Sequence, residues 1–253
     1  MKSGTLKAIF PATLRPFLRP TARFVPQTYA RAAAWARFWR SVFAYRRLGG
    51  TVPMQYLQPC PGEDGIMPIE PTYFYQDNWA FELIVNAKPA HHVDIGSHNK
   101  FVALLSKVIP TETVDVRAWP LTIPSLKFRL GSILALPYPD ASLLSVSSLC
   151  VVEHIGLGRY GDPLDPMGTE KAVAELKRVL APEGDLYISV PIDDTTRTYF
   201  NAHRAFAIAD FESMIHPLQI VSRAFIHGET FSDTPQSGFG TACYHLRKAA
   251  AVE

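Results

Sequence analysis

The sequence predicts a doubly wound α/β domain, a mostly parallel sheet of roughly seven strands, with a basic helical extension ahead of it. Three observations carry that expectation. From residue 76 onward, helix-like and strand-like patterns alternate, the sequence form of βαβ units. At Val93-Asp94-Ile95-Gly96-Ser97 an apolar strand pattern runs into a glycine turn. Charge is also divided: no acidic residue precedes Glu63, whereas from it onward 15 basic residues face 23 acidic ones. With 253 residues, 47% hydrophobic and 19% charged, the chain suits one large packed domain plus an extension rather than a disordered or repetitive polymer.

The first unit, residues 1–50, is cationic. Lys2, Lys7, Arg15, Arg19, Arg23, Arg31, Arg37, Arg40, Arg46 and Arg47 supply its charge. Residues 29–48 have helical periodicity, because a 3.6-residue repeat gathers Trp35, Phe38, Trp39, Val42 and Phe43 on one side. Arg37, Arg40 and Arg47 fall opposite, while Arg31 and Arg46 break the pattern. Such a helix suits an anionic membrane surface, and equally a stripe packed on the main domain. An Arg-rich, acid-free start also mimics an organelle transit peptide, but Pro11, Pro16, Pro20 and Pro26 are expected to break any early helix. Nucleic acid is a third partner for a basic arm, disfavoured because no binding module accompanies it. Residues 51–75, rich in proline and glycine, read as a connector.

The main domain, residues 76–253, follows in order. Helix 76–88 leads to a strand over His91–Gly96, a helix over Lys100–Val108 and a strand near Val114–Val116. Residues 126–130 form a weak third strand. Leu143–Val152, apolar and serine-rich, reads as a buried central strand. A polar loop, Gly156–Gly168, precedes an amphipathic helix with Ala172, Val173, Leu176, Val179 and Leu180 on one face, stopped by Pro182 and Gly184. Strand Asp185–Val190, helix 206–215 and strands 219–227 and 239–247 complete it. Cys60, Cys150 and Cys243 lie far apart without a Cys-x-x-Cys, which suits a reducing, cytoplasmic setting.

Ligands of open α/β sheets bind beyond the carboxyl ends of the strands. Gly96 lets backbone approach a ligand there. Asp115 ends the next strand 21 positions after Asp94, the interval at which an acid accepts from a ribose. Then come Gly131-Ser132-Ile133, Leu136-Pro137-Tyr138-Pro139-Asp140 and Glu153-His154-Ile155. Over residues 90–250 this succession resembles the class I S-adenosylmethionine-dependent methyltransferases. The stretch Glu153-His154-Ile155-Gly156-Leu157-Gly158-Arg159-Tyr160-Gly161-Asp162-Pro163, with Asn201-Ala202-His203-Arg204, Tyr75-Gln76-Asp77 and Trp79, resembles a methyltransferase-like subgroup of bacterial and nematode proteins.

The resemblance implies a seven-stranded Rossmann-like methyltransferase sheet with S-adenosylmethionine lying across Asp94, Gly96 and Ser97, its ribose on Asp115 and its adenine near Ser132 and Ile133. Where those enzymes carry further glycines this chain has His98 and Lys100, and Ser132 stands where they carry an aspartate. Lys100 is expected to pair with the cofactor's carboxylate. His154 is the favoured general base and His203 its reserve, since a histidine with a near-neutral pKa suits removal of a hydroxyl proton. A Glu-His pair that only braces the strand end is the plainer reading. Arg159, Tyr160, Asp162 and Arg204 are expected to orient a polar substrate. His154, Asp162, Asp165 and His203 fit no established metal-ligand spacing. These expectations converge on methyl transfer to oxygen, on a sugar hydroxyl of a glycan or glycolipid intermediate, by a cytoplasmic protein peripheral on the inner face of a membrane. The alternatives are a non-catalytic scaffold with the same fold and an RNA methyltransferase.

Overall fold

The computed structural model describes residues 15–60 and 67–250. The chain divides into two units, Met1–Pro68 and Ile69–Glu253. In the first, the helix α1 spans Arg15–Arg47. It therefore starts earlier than periodicity suggests and runs through Pro16, Pro20 and Pro26, which does not match the expected break. Pro16 occupies the first turn, where its missing N–H costs nothing. Pro20 and Pro26 lie deeper, and each deprives a preceding carbonyl of its donor without ending the helix. Pro11 lies outside the described residues. At the far end the peptide N–H of Gly50 donates to Tyr45 O at 3.0 Å, and Gly49 takes a left-handed φ of 91°. Arg46, which breaks the stripe, turns back to donate to Val52 O at 2.7 Å.

The second unit opens with α2, Pro71–Ala87. It begins inside the expected connector because Glu70 caps it, accepting from Tyr73 N at 2.7 Å, and Pro71 supplies the first-turn φ. The strands β1 (His92–Ile95), β2 (Thr111–Asp115), β3 (Leu126–Leu130) and β4 (Leu143–Leu149) follow, with α3 (Asn99–Leu105) between the first two. Helix α4 (Gly168–Val179) passes directly into β5 (Leu180–Ile192). Leu180 pairs with Leu143, the ladder is then interrupted around Pro182 and Gly184, and it resumes at Asp185 opposite Ser145.

The remaining elements are the hairpin β6 (Arg197–Tyr199) and β7 (His203–Ala205), helix α5 (Ile208–Ile215), β8 (Gln219–His227), β9 (Thr230–Ser232) and β10 (Gly240–Arg247). The main sheet has eight strands in the order β3-β2-β1-β4-β5-β10-β8-β9, one more than expected. The first five are parallel and β10 runs antiparallel to both its neighbours. The added strand β9 and the separate hairpin are each three residues per strand, too short to display alternation.

Apolar cores cover both faces. On one side Ala172, Val173, Leu176 and Val179 of α4 and Phe211 and Ile215 of α5 pack on Val93, Ile95, Val146 and Ile188. On the other, Ala80 and Ile84 of α2 and Phe101, Val102 and Leu105 of α3 pack on Leu149 and Tyr187. Strand β1 therefore alternates, and its other two residues, His92 and Asp94, enter a buried polar row. Ser147 Oγ donates to Asp94 Oδ1 at 2.7 Å, Thr113 Oγ1 donates to Asp94 Oδ2 at 3.1 Å, and the His92 ring bonds Ser145 at 2.8 Å and Ser147 at 2.9 Å. Burial holds His92 neutral, its pKa pushed down to about 3. The serines of the central strand are thus the partners of this row.

Candidate active site

The reversal of strand order between β1 and β4 leaves a crevice at the carboxyl ends of the parallel strands. It has two adjoining parts. The first, about 320 Å³, is walled by Gly96, Asp115, Val116, Ser132, Ile133 and Val151. The second, about 390 Å³, is walled by Tyr73, Ser97, His98, Asn99, Trp119 and Leu149. Gly96, Asp115, Arg117, Cys150, His154 and Tyr160 border both.

Asp94 does not reach this surface. It is fully buried and forms the anchor under the turn, accepting from Ser97 N at 3.2 Å besides Ser147 and Thr113. Burial raises its pKa to about 6, against the pull of those donors. The turn it holds puts Gly96 at φ 71°, and a Cβ there would stand 3.1 Å from Val151 Cγ1. Glycine is therefore required both by conformation and by the crevice wall. Ser97 is buried, and its Oγ accepts from Leu149 N at 2.9 Å, tying the turn to β4.

His98 caps α3 without a side-chain hydrogen bond, and its ring lies 5.1 Å from that of Tyr73. It lines the second part of the crevice without filling it. Lys100 is exposed in the first turn of α3 and lies outside both walls. Ser132 and Ile133 lie beyond β3, with Ser132 Oγ accepting from Leu134 N at 3.2 Å and Ile133 buried. Asp115 is engaged: Arg117 donates from its backbone N to Oδ1 at 2.9 Å, from Nε to Oδ1 at 3.1 Å and from Nη2 to Oδ2 at 3.0 Å.

The opposite rim is built from the loop after β4 and the β6–β7 hairpin. Two of the residues expected to grip a substrate instead hold this rim together. Asp162 accepts from Gly156 N at 2.6 Å and Tyr160 N at 3.3 Å. Although burial pulls the other way, those peptide donors hold its carboxyl below the usual range. Gly156, at φ 82°, faces the carbonyl of Asp165 so closely that a Cβ would strike it. Arg204 is buried and donates to Ile155 O at 2.6 Å, Thr169 Oγ1 at 3.1 Å, Asp165 O at 3.2 Å and Pro166 O at 3.3 Å. Its charge is thereby spread over neutral acceptors of the loop and of α4, which take four of its five N–H donors, so it positions the rim.

His154 closes the short 3-10 turn Val152–His154. Its Nδ1 lies 2.6 Å from Ala202 O, which fixes the proton on Nδ1 and leaves Nε2 unprotonated. Burial, with Arg159 and His203 nearby, lowers its pKa to about 4. It is therefore neutral at physiological pH but a weaker base than the near-neutral group expected. Arg159 Nη1 donates to the same Ala202 carbonyl at 3.1 Å. Tyr160 stands with its ring 5.6 Å from that of His154, with Arg117 at 4.6 Å and Arg159 at 5.2 Å from its centroid. His203 is 6.5 Å from His154 ring to ring, between Tyr199 and Phe239, and its Nε2 is buried without a hydrogen-bond partner.

Beneath the rim, Glu153 is buried and its carboxyl is pushed up to about 8 by burial, so it is protonated at neutral pH. Its Oε1 lies 3.6 Å from His154 Nε2. Gln76 Oε1 accepts from Ser189 Oγ at 2.7 Å and from the Cys150 thiol at 3.2 Å, joining α2 to the two central strands. Sequence reasoning did not single out Arg117, Tyr73, Trp119, Cys150 or Val151 as wall residues. Arg117 was findable from its place two residues beyond a strand-end acid; the others carry no local signal.

A family model described as Caenorhabditis protein of unknown function, DUF268, matches residues 138–237. No curated protein sequence matches the chain. Among solved structures, the Burkholderia thailandensis 1,6-didemethyltoxoflavin-N1-methyltransferase with bound 1,6-didemethyltoxoflavin and S-adenosylhomocysteine is similar at a TM-score of 0.52 and 16% identity, over 69% of this chain and 79% of that one. The N-methyltransferase NodS from Bradyrhizobium japonicum gives 0.51 and 15%, over 74% and 99%. The [4+2]-cyclase SpnF gives 0.51 and 11%, over 88% and 97%. The chain has the Rossmann-like methyltransferase fold, an architecture that also carries a cyclase, so the fold alone does not fix the activity.

Proposed function

We propose that the protein is an S-adenosylmethionine-dependent methyltransferase whose cofactor lies in the crevice beyond β1, β2 and β4. One observation carries this reading: Gly96, Asp115 and Ser132-Ile133, from three separate strand ends, wall a single cleft of about 320 Å³. The residues fit a nucleoside. Gly96 leaves backbone open where a side chain would intrude, Asp115 presents a carboxylate for a ribose, and Val116 and Ile133 offer apolar surface to a base. The second part, with Ser97, His98 and Asn99, has room for the amino-acid tail. When bound, the sulfonium supplies the methyl group. The methyltransferases of known structure with this fold support the reading, among them one holding S-adenosylhomocysteine.

For the acceptor, the reading is a hydroxyl, with a saccharide as its carrier. Support comes from the rings of Tyr73, Trp119 and Tyr160 around the second part of the crevice and from the unprotonated Nε2 of His154. Asp162 and Arg204 no longer belong to that argument, since both are spent within the rim. Catalysis would then rest mainly on holding the acceptor oxygen in line with the methyl carbon, with His154 contributing modestly. Incubation with methyl-labelled S-adenosylmethionine and matched panels of sugar alcohols and amines tests this. Label on the hydroxyl panel is expected; label confined to amines would overturn the acceptor, and no label on either would favour a scaffold.

The basic unit favours an anionic membrane surface as its partner. Trp35, Trp39, Phe43 and Tyr45 of α1 and Leu48 just after it are exposed, and the segment before Glu63 has no acid to repel anionic lipid. Among the described residues no helix is long and apolar enough to cross a membrane. Vesicles containing phosphatidylserine should retain the full chain and not a form lacking residues 1–50; equal retention of both would remove this role.

A further inference from the structure

Most charged groups around the crevice are consumed in building it. Arg204 holds the rim, Asp162 caps its loop, and Arg159 shares the Ala202 carbonyl with His154. Arg117 is the exception, because it joins two walls of the crevice. It follows β2, and three of its N–H groups fall on Asp115, engaging both carboxylate oxygens at 2.9–3.1 Å. The same guanidinium lies 4.6 Å from the ring centroid of Tyr160, which belongs to the loop after β4. Asp115, Arg117 and Tyr160 all border both parts of the crevice, so this bridge crosses it at the junction.

A carboxylate offers about four acceptor positions, and three of those on Asp115 are filled by one arginine. A vicinal diol donating to both oxygens needs two. At least one Arg117 bond must therefore be given up before a ribose can be held. The arginine side chain is 56% exposed, so water can take over its donors, whereas the Asp115 side chain is only 4% exposed and needs donors from a ligand to replace those it loses.

We propose that Arg117 is a latch between Asp115 and Tyr160: the ribose diol of the cofactor displaces it from Asp115, the hold on Tyr160 is lost, and the rim loosens so that the acceptor enters second. This rests on the cofactor reading above. The latch taxes cofactor affinity and in return orders the two ligands, cofactor before acceptor. An ion pair whose arginine is half exposed, together with a cation–π contact, corresponds to about five- to thirtyfold in affinity.

Calorimetric titration of S-adenosylhomocysteine into the full chain and its Arg117→Gln form tests the latch. The variant is expected to bind about five- to thirtyfold tighter. Wild-type affinity should rise as salt weakens the pair, while that of the variant stays flat. Arg117→Lys, which keeps the charge but loses the fork, should fall between them, and with the salt series it carries the test should the glutamine form fail to fold. Hydrogen exchange over residues 156–163 should quicken when S-adenosylhomocysteine binds wild type. Equal or weaker binding by Arg117→Gln, or slower exchange in that loop, overturns the latch while leaving the cofactor reading intact. No heat with either form overturns both.

Discussion

The two walls of the crevice are made by opposite strategies. On the β1 and β4 side the turn is held by buried neutral groups and one buried acid: Asp94 beneath, Ser97, Ser147 and Thr113 around it, and Gly96 left bare at the surface. On the rim, charged groups and peptide carbonyls do the same work. Arg204 gathers carbonyls of the loop, Asp162 gathers its N–H groups, and Ala202 O receives both His154 and Arg159. A polar residue next to a cleft is therefore not evidence of ligand contact until its hydrogen bonds have been accounted for. The two stretches that stand out in the sequence, residues 153–163 and 201–204, are two halves of one interlocked structure.

That contrast can be broken at the rim first. Arg204→Met removes four hydrogen bonds from the rim and is expected to cost about 3 kcal/mol of stability, seen as a drop of several degrees in Tm. Methyl transfer should be lost while S-adenosylhomocysteine still binds within about threefold, because the cofactor wall does not use Arg204. A matching loss of cofactor affinity would mean that the walls are not independent.

His154→Gln sharpens the comparison from inside the rim. The amide can still donate to Ala202 but offers no imidazole lone pair, so the rate constant kcat should fall roughly 10- to 100-fold with little change in cofactor affinity. A loss under threefold would remove His154 from the chemistry and leave it a brace.

The smallest effect concerns pH. Burial raises Glu153 to about 8, well above the usual carboxylate range. Stability from a group with a raised pKa is complete at low pH and is lost as pH climbs through the folded value. Between pH 6.5 and 8 the wild type should therefore lose on the order of 1 to 2 kcal/mol, and Glu153→Gln should remove most of that slope. Asp77, raised by burial to about 7, leaves a residue of the same sign near the lower end of the window. His92 acts with the opposite sign and only below pH 6.5, since its pKa is lowered to about 3. An unchanged slope in Glu153→Gln would show that this carboxyl is not neutral in the folded protein.

The parallel half of the sheet was legible because its strands alternate with helices at ordinary spacing. The apolar face of α4, Ala172 through Val179, could be named from period alone. Gly96, Asp115, Ser132 and Ile133 were legible as strand-end positions, and all four line the cleft. Side-chain direction was not legible. Asp94 lies one residue inside the strand, and the two-residue alternation turns it beneath the turn. Lys100 lies on the exposed surface of α3. For Arg204 and Asp162, residue type suggested a ligand, whereas the partners that occupy them are main-chain groups of a loop whose path no local pattern specifies. The start of α1 was misread for a related reason: proline weakens a helix by a few kcal/mol, and that is a cost rather than a prohibition.

The central proposal is that the crevice beyond β1 and β2 receives the nucleoside of the cofactor. The most direct measurement is calorimetric titration of S-adenosylhomocysteine into wild type and into Gly96→Val, which places a branched side chain at φ 71° and against Val151. Saturable one-to-one binding by wild type, weakened at least 100-fold in a variant that remains folded, is the predicted result. Equal binding by the two proteins would place the ligand elsewhere and contradict the account.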